Sequence, residues 1–343
     1  MLILDLFIHS AGTIAPEADI KEPVLKLLCK EPDYTSFINP MQLRRMSKAV
    51  RMGIGASREC LVNAGLEKPD ALSVGTAMGC LQDTEFFLSK MVAQEEKMLT
   101  PTAFIQSTHN TVGGQIALLC GCHGHNMTYV HRGHSFEHAV INTKLYIQDH
   151  PGATVLAGGI DELTDTSHLL MQRAGLYTTM PQNPGDTYAQ QFDHAIAGEG
   201  AAFFILNEQQ ENSKLKIKAL QLAVTIDETT ALQALRSFMD AASINTGDID
   251  LVVMGMNGVI EEQPFYQALQ TELFENNAQA IFKQECGEYA TAGAFALSTI
   301  LKGLQTGSFP ASFFIHQQPE QLRQILLVNH YMDHYSFWLL EAL

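Results

Sequence analysis

Positive charge is what this sequence has least of. Its 21 lysines and arginines stand against 37 aspartates and glutamates, a net charge of −16. No Lys/Arg-rich stretch could track a phosphate backbone, which excludes nucleic acid as a partner. Cysteine is also sparse. Residues 29, 60, 80, 120, 122 and 286 show neither the spacing of a disulfide framework nor paired CxxC motifs. Met1-Leu2-Ile3-Leu4-Asp5 lacks the basic start of a secretory leader, so a reduced, cytoplasmic protein is expected. No apolar run approaches the ~18 residues that a membrane span needs. Few charges do not mean disorder here, because hydrophobic residues make up 46% of the 343 and can fill a large core.

The length suits about two domains, or one large α/β unit. Short apolar runs bounded by turn formers, such as Ala153–Ala157 before Gly158-Gly159 and Leu251–Met254 before Gly255, read as strands covered on both faces. Apolar positions recurring at three and four predict helices between them, and the alternation predicts α/β layers. The order of elements repeats. Strands at 2–8, 71–75, 127–130, 153–157 and 201–206 with helices at 41–64 and 135–148 make a first half. Strands at 215–224, 250–254, 280–283, 309–315 and 325–330 with helices at 229–242 and 290–303 make a second. The polar stretch Asn207–Ser213 is the hinge, giving halves 1–207 and 214–343 of one compact unit.

Histidine supplies the first chemical motif. His131, His134 and His138 are spaced to share one helix face, and His134-Ser-Phe-Glu137-His138 matches H-x-x-E-H, in which two imidazoles bind zinc and the glutamate acts as base. Histidines that cap or line a helix start and bind nothing are the plainer alternative. Gly53-Ile-Gly55 is followed by Arg58 where a third glycine would be needed, and Gly113-Gly114 sits inside a helical pattern, so neither supports a phosphate loop. Met41–Arg51 is a basic amphipathic turn that could dock an acidic partner or simply be solvated.

Several blocks, in order along nearly the whole chain, carry a family resemblance. They are Arg44-Arg-Met-Ser47, Val74-Gly-Thr-Ala-Met-Gly79, Pro101-Thr-Ala-Phe-Ile-Gln-Ser-Thr-His-Asn110 with Gly114-Gln-Ile-Ala117, Gly158-Gly-Ile-Asp-Glu162 and Phe192–Ala202. The chain resembles the β-ketoacyl synthases of the thiolase superfamily, the condensing enzymes of fatty-acid and polyketide synthesis. The third block is similar to a subgroup found with aryl polyene and related pigment clusters. The resemblance implies a thiolase-like α/β fold, two duplicated halves in a five-layer α-β-α-β-α sandwich, with Phe192–Ala202 as the hairpin closing the first half.

The family's chemistry requires a cysteine at a helix N-terminus to take the acyl chain, and two histidines that donate to the thioester carbonyl of the malonyl unit. Laid on this sequence, the nucleophile falls at Gly133 and the histidines at Asn257 and Glu288. No catalytic residue is therefore expected, and no slip of alignment helps, because no histidine lies between residues 195 and 315. The loop Asn329–Ser336 has lost the glycines of the family's gate. Ser135 lies roughly 200° around the helix from Gly133, while Cys286 could approach the site as an alternative nucleophile or be a plain buried thiol. Cys80, Cys120 and Cys122 match no role.

The resemblance then implies a chain-length-factor type of subunit, which pairs with an active β-ketoacyl synthase and shapes its acyl tunnel, meeting the acyl carrier protein only indirectly. Self-pairing as a homodimer is the alternative, and a stable monomer is not expected. The pairing and tunnel residues would be Gln106, Ser107, Thr108, His109, Asn110, Thr111, Thr128, Tyr129 and Val130. Phe136 is either a plug of this subunit's own pocket or a core side chain. A thiolase-fold acyltransferase using Cys286, His131 or His134, and a zinc hydrolase using His134, Glu137 and His138, are the competing functions. No cofactor is expected. The acidic surface would repel the acidic carrier and steer it to the partner.

Overall fold

The computed structural model describes residues 1–343 except 190, 316, 317 and 320. The first half runs β1 (Leu2–Ile14), β2 (Lys26–Leu27), α1 (Pro40–Leu43), α2 (Lys48–Ala64), β3 (Ala71–Gly75), α3 (Leu81–Ala93), α4 (Pro101–Gln106), α5 (Thr111–Cys120), β4 (Asn126–Tyr129), α6 (Ser135–Asp149), β5 (Val155–Asp161), α7 (Asp165–Arg173), β6 (Ala197–Gly198) and β7 (Gly200–Asn207). The second half runs β8 (Leu215–Val224), α8 (Glu228–Ala242), β9 (Leu251–Met254), α9 (Gln263–Ala268), β10 (Ala278–Ile281), α10 (Lys283–Cys286), α11 (Ala292–Thr306), β11 (Gln324–Tyr331) and β12 (His334–Ala342).

The strand order is β10-β9-β11-β12-β8-β1-β7-β5-β3-β4. It is symmetric about the β8/β1 junction, so β1, β7, β5, β3 and β4 correspond in turn to β8, β12, β11, β9 and β10. The long first strand makes the join. Residues Leu2–Ile8 of β1 pair with β8 and Phe7–Ile14 pair with β7, both antiparallel, with register shifts that let one strand pass from sheet to sheet. Strands buried along their whole length, such as β5 and β7, are apolar up to their last residues, Asp161 and Asn207, because both faces are covered.

Three apolar clusters mark the layers. Met52, Ile54, Val112 and Ile116 of α2 and α5 cover the outer face of the first sheet with Ile160, Phe203 and Ile205. Leu235, Phe238 and Phe265 of α8 and α9 cover the outer face of the second with Val252, Phe337 and Leu339. Between the sheets, α6 and α11 bury Phe136, Val140, Leu297 and Ile300 against Leu6, Phe204, Val253, Leu327 and Trp338. The result is the five-layer α-β-α-β-α sandwich of a thiolase-like fold. Each large apolar side chain buried in it contributes about 1.5–3 kcal/mol.

Several sequence expectations need correction. The helix over 41–64 is two helices, broken after Leu43 and restarted at Lys48. The strand placed at 280–283 is β10 at Ala278–Ile281, and Lys283 begins a short helix. Residues 309–315 form turns rather than a strand of the main ladder, and reach the sheet through one isolated bridge, Ala280 with Phe314. Pro310 interrupts the run and removes a donor. The fifth strand of the second half is β12, whose polar start His334-Tyr-Ser336 hid it.

Candidate functional site

The start of α6 is where the family resemblance puts a nucleophile. Arg132–His134 form a 3-10 turn leading directly into the helix. Ser135 ties that turn down, its Oγ donating to the Arg132 carbonyl at 2.8 Å and accepting from the His131 amide at 2.9 Å. Gly133 is buried, and a Cβ built on it would lie 2.8 Å from the Tyr331 Cβ and 2.9 Å from the His334 Cβ. Those separations are far inside carbon–carbon contact distance. What fills the position is a hairpin: Tyr331 pairs with His334 across the two-residue turn Met332-Asp333, with Met332 in the left-handed region at φ 55°. The loop 329–336 is thus mostly strand. Its far side is fastened by the Thr225 amide to the Asp333 carbonyl at 2.9 Å. His134 donates from Nε2 to the Tyr335 carbonyl at 2.9 Å, and burial lowers its ring to about 4.

Asn257 follows β9 and Glu288 follows α10, and the two side chains meet. Asn257 Nδ2 donates to Glu288 Oε2 at 2.8 Å, and Lys283 Nζ donates to both Glu288 oxygens at 2.9 and 2.8 Å and to the His330 carbonyl at 2.6 Å. Lys283 is 1% exposed. Burial raises the Glu288 carboxyl above its ordinary range against the pull of Lys283 and His330. Beside them, His330 Nδ1 lies 2.6 Å from Tyr266 Oη, which donates to the Gly255 carbonyl at 2.7 Å. With the Tyr266 proton so placed, Nδ1 carries the hydrogen of that contact. His330 Nε2 is 2.7 Å from Glu262 Oε2. Burial raises Glu262, and the His330 ring and Lys283 outweigh it, leaving the carboxyl below its usual range.

A cavity of about 200 Å³ opens here, lined among others by Tyr177, His194, Asn257, Glu262, Glu288 and Tyr331. Its chemistry is set by what is already spent. The Asn257 amide is committed to Glu288 and Glu288 to Lys283, so neither is free to donate to an oxyanion in the cavity, whose other polar lining is Tyr177, His194, Tyr331 and the carboxyl groups of Asp193, Glu261 and Glu262. Lys283 was missed in the sequence; its one signal is a cation set directly after the apolar Ile281-Phe282 with an acid five residues on.

The segment 192–202 corrects another expectation. It is no hairpin but a strap holding both second-half loops. Phe192 pairs with the Asn257 loop through its amide to the Gly258 carbonyl and its carbonyl to the Ile260 amide, each 2.9 Å. Ala197 bridges Glu288, whose amide donates to the Ile196 carbonyl at 2.8 Å, and a Cβ on Gly198 would sit 2.0 Å from the Cys286 carbonyl oxygen. Only glycine permits that approach.

The zinc motif does not assemble. His134 is committed to Tyr335, Glu137 is buried and turned toward Ser336, and His138 Nε2 lies 2.7 Å from His131 Nδ1. Among the described residues no group of three or more His, Cys, Asp or Glu is placed to hold a metal ion. All six cysteines are free thiols. Cys286 is fully buried, burial raises its thiol well above the usual range, and its Sγ lies 3.4 Å from the Gly287 carbonyl. Burial likewise pushes Cys60 and Cys80 up to about 12. Phe136 is a core side chain, with ring centroids 5.6 Å from Trp338 and 5.8 Å from Phe204.

The residues assigned to pairing lie at one end of the sheet. β4 has a partner on one side only and is exposed to half-exposed along its length, with Met127 43% exposed and Val130, just after it, 50% exposed. Gln106–Thr111 join α4 to α5, partly exposed, with Gln106 Nε2 on the Arg45 carbonyl and His109 packed on Gly79. Around them α3, α4 and α5 present Phe86, Val92, Phe104, Ile105 and Leu118, each more than half exposed. No helix among the described residues is long and apolar enough to cross a membrane.

A duplicated five-layer fold in which the α6 start faces two loops of the second half defines the thiolase class of folds. The family model for the β-ketoacyl synthase N-terminal domain matches residues 17–212, and the chain belongs to the β-ketoacyl synthase family. Three solved structures are similar over nearly full length. The ishigamide ketosynthase/chain length factor covers 98% of this chain and 99% of its own at TM-score 0.78 and 14% identity. A type II polyketide synthase acyl-carrier protein in complex with its ketosynthase gives 0.75 and 15%, covering 98% and 99%. A ketosynthase in complex with its chain length factor from Xenorhabdus doucetiae gives 0.74 and 13%, covering 98% of each chain. At these identities the likeness is one of fold. No curated protein sequence matches the chain.

Proposed function

We propose that this chain is a non-condensing subunit of the chain-length-factor type, which pairs with an active ketosynthase and shapes the acyl tunnel in polyketide or fatty-acid (polyene) synthesis. The observation that carries the reading is the hairpin Tyr331–His334 seated where a nucleophile's side chain would be, beside an Asn257–Glu288–Lys283 network that neutralises itself. Gly133, Asn257 and Glu288 are the vacated catalytic positions in this reading, and the loss is not a matter of single side chains: the space and the donors have both been reassigned. Pairing is supported by the open edge of β4 and the apolar helices around it, since an uncovered strand edge with apolar flanks is a template for a partner. The ketosynthase partner takes the acyl chain, and the carrier protein delivers to it. Residues 106–111 and 128–130 then lie against the partner.

The test is the intact mass of the purified chain after incubation with acyl-loaded carrier protein, alone and with a candidate ketosynthase. The chain stays unmodified in both, and only the ketosynthase gains the acyl mass. Acylation of this chain, at Cys286 or elsewhere, would overturn the reading. Gly133→Cys stays unacylated as well and loses about 1–3 kcal/mol of stability, because the new side chain is forced against Tyr331 and His334. Denaturation together with the same mass measurement checks both outcomes.

A further inference from the structure

We propose that the cavity between α2, α3 and α5 is an anchor pocket for one arginine side chain of the ketosynthase partner, with the Asp83 carboxylate as its counter-charge. This rests on the pairing reading above. The cavity holds about 390 Å³ and lies on the face assigned to pairing, since Gln106 and Thr111 line it. Met46, Val50, Leu118 and Leu119 give it apolar walls, and Ser47, Asp83 and Gln115 are among its polar groups. The chain leaves it open. Leu118 is 73% exposed, and α3, which carries Asp83, buries none of its residues.

Asp83 is the misfit in this lining. It stands in the first turn of α3 with Oδ2 sealed from water, and it enters no ion pair among the described residues. Burial raises its carboxyl, and the neutral Ser47 hydroxyl, on a residue 5% exposed, is the one group that favours the charge. Arg45 lines the same cavity, but its side chain is exposed and only its backbone is engaged, the carbonyl accepting from Gln106 Nε2 at 3.0 Å. A partner covering this face strips the remaining water from Asp83. A carboxylate buried without a cation is strongly destabilising, so a tight interface here has to bring one. The lining selects arginine over lysine. A planar guanidinium offers five donors, which the Asp83 carboxylate, the Ser47 hydroxyl and the Gln115 amide oxygen can share, while its methylene stem lies along Val50, Leu118 and Leu119. The chain's net charge of −16 favours a cationic partner at this face in the same sense.

The experiment measures ketosynthase affinity for the native chain and for Asp83→Asn, Arg45→Gln and Gln42→Ala, with the unfolding of each free chain. Asp83→Asn strands the arginine and weakens pairing about 30-fold or more, while the free variant is as stable as the native chain or more so. Arg45→Gln pairs at least as tightly as the native chain, and Gln42→Ala stays within about twofold of it. Equal affinities for the native chain and Asp83→Asn would overturn the anchor. So would a loss in Arg45→Gln that matches the loss in Asp83→Asn, because Arg45 would then be the counter-ion. If no chain pairs, the native one included, the functional reading falls, and n-propylguanidinium judges the pocket by itself. The free native chain binds it saturably, read by NMR at the Gln115 side-chain amide, Asp83→Asn binds it about tenfold more weakly, and neutral n-propylurea binds neither protein. No guanidinium binding, or equal binding to both proteins, would overturn the pocket as well.

Discussion

The two halves share a strand order but finish their sheets differently. In the second half the last strand, β10, is buried and capped: Ile281 donates to the Phe313 carbonyl and Ile315 to the Gln279 carbonyl, each at 2.9 Å. In the first half the corresponding strand, β4, ends the sheet uncovered, and the long excursion from residue 76 to 125, whose helix α5 packs on β4, carries exposed apolar side chains. One duplicated architecture thus yields a closed edge and an open one. The site divides along the same line, the first half giving a position with no side chain and the second giving a neutralised charge network. In the proposed reading the fold retains what pairing needs, because the edge strand and its helices do not depend on a side chain at residue 133.

The contrast breaks most severely in the second half. Lys283→Met leaves Glu288 buried without its cation and costs about 3–5 kcal/mol in chemical denaturation; adding Glu288→Leu recovers most of that. An equal loss in single and double variants would mean the pair is not what holds these loops. Phe313→Ala removes a fully buried ring stacked 5.1 Å from Phe309 and uncaps β10, for a loss of about 3–5 kcal/mol with new concentration-dependent association. On the open edge the effect is on binding alone. Met127→Asp with Val130→Asp weakens ketosynthase pairing about 100-fold and leaves the unfolding free energy within about 0.5 kcal/mol of the native chain. A variant that pairs normally places the interface elsewhere.

A smaller, pH-dependent effect tests the central layer where the halves meet. Burial pushes Glu137 up to about 7 from an ordinary 4.5, so the folded chain binds more protons than the unfolded one between those values. The stability it contributes is full below about pH 4.5 and is lost as pH rises through 7. Glu137→Gln flattens this, gaining about 3 kcal/mol relative to the native chain at pH 8 and little at pH 4.5. Glu162 and Asp161, raised by burial in the same direction, keep a residual slope in both proteins. Urea denaturation at the two pH values checks it, and identical slopes would show that Glu137 is solvated.

Much of the fold was legible because its strands are buried on both faces and write themselves as apolar runs, as at Leu251–Met254 and Gly200–Asn207. Misreadings came where a run and its burial part company. Phe309, Phe313, Phe314 and Ile315 look like a strand but are apolar because they cap one, and His334-Tyr-Ser336 looks like a loop but is strand because its polar atoms are satisfied inside the protein. Met127 and Val130 are indistinguishable by residue type from core positions; the family resemblance pointed to residues 128–130 as a pairing segment, and the topology places β4 at the end of the sheet. At the site, the identities of residues 133, 257 and 288 were readable one by one. Their mutual arrangement was not, since the hairpin over Gly133 and the strap at 192–198 are long-range contacts with no local signature, and the Lys283–Glu288 pair, though only five residues apart, is held by burial that the sequence does not show.

Hydrogen exchange of the Asn126–Tyr129 amides, with and without a candidate ketosynthase, tests the pairing claim most directly. β4 amides that exchange readily in the free chain become strongly protected in the complex, while those of β10, already bonded within the chain, do not change. Complex formation that leaves β4 exchange unaltered would contradict the account.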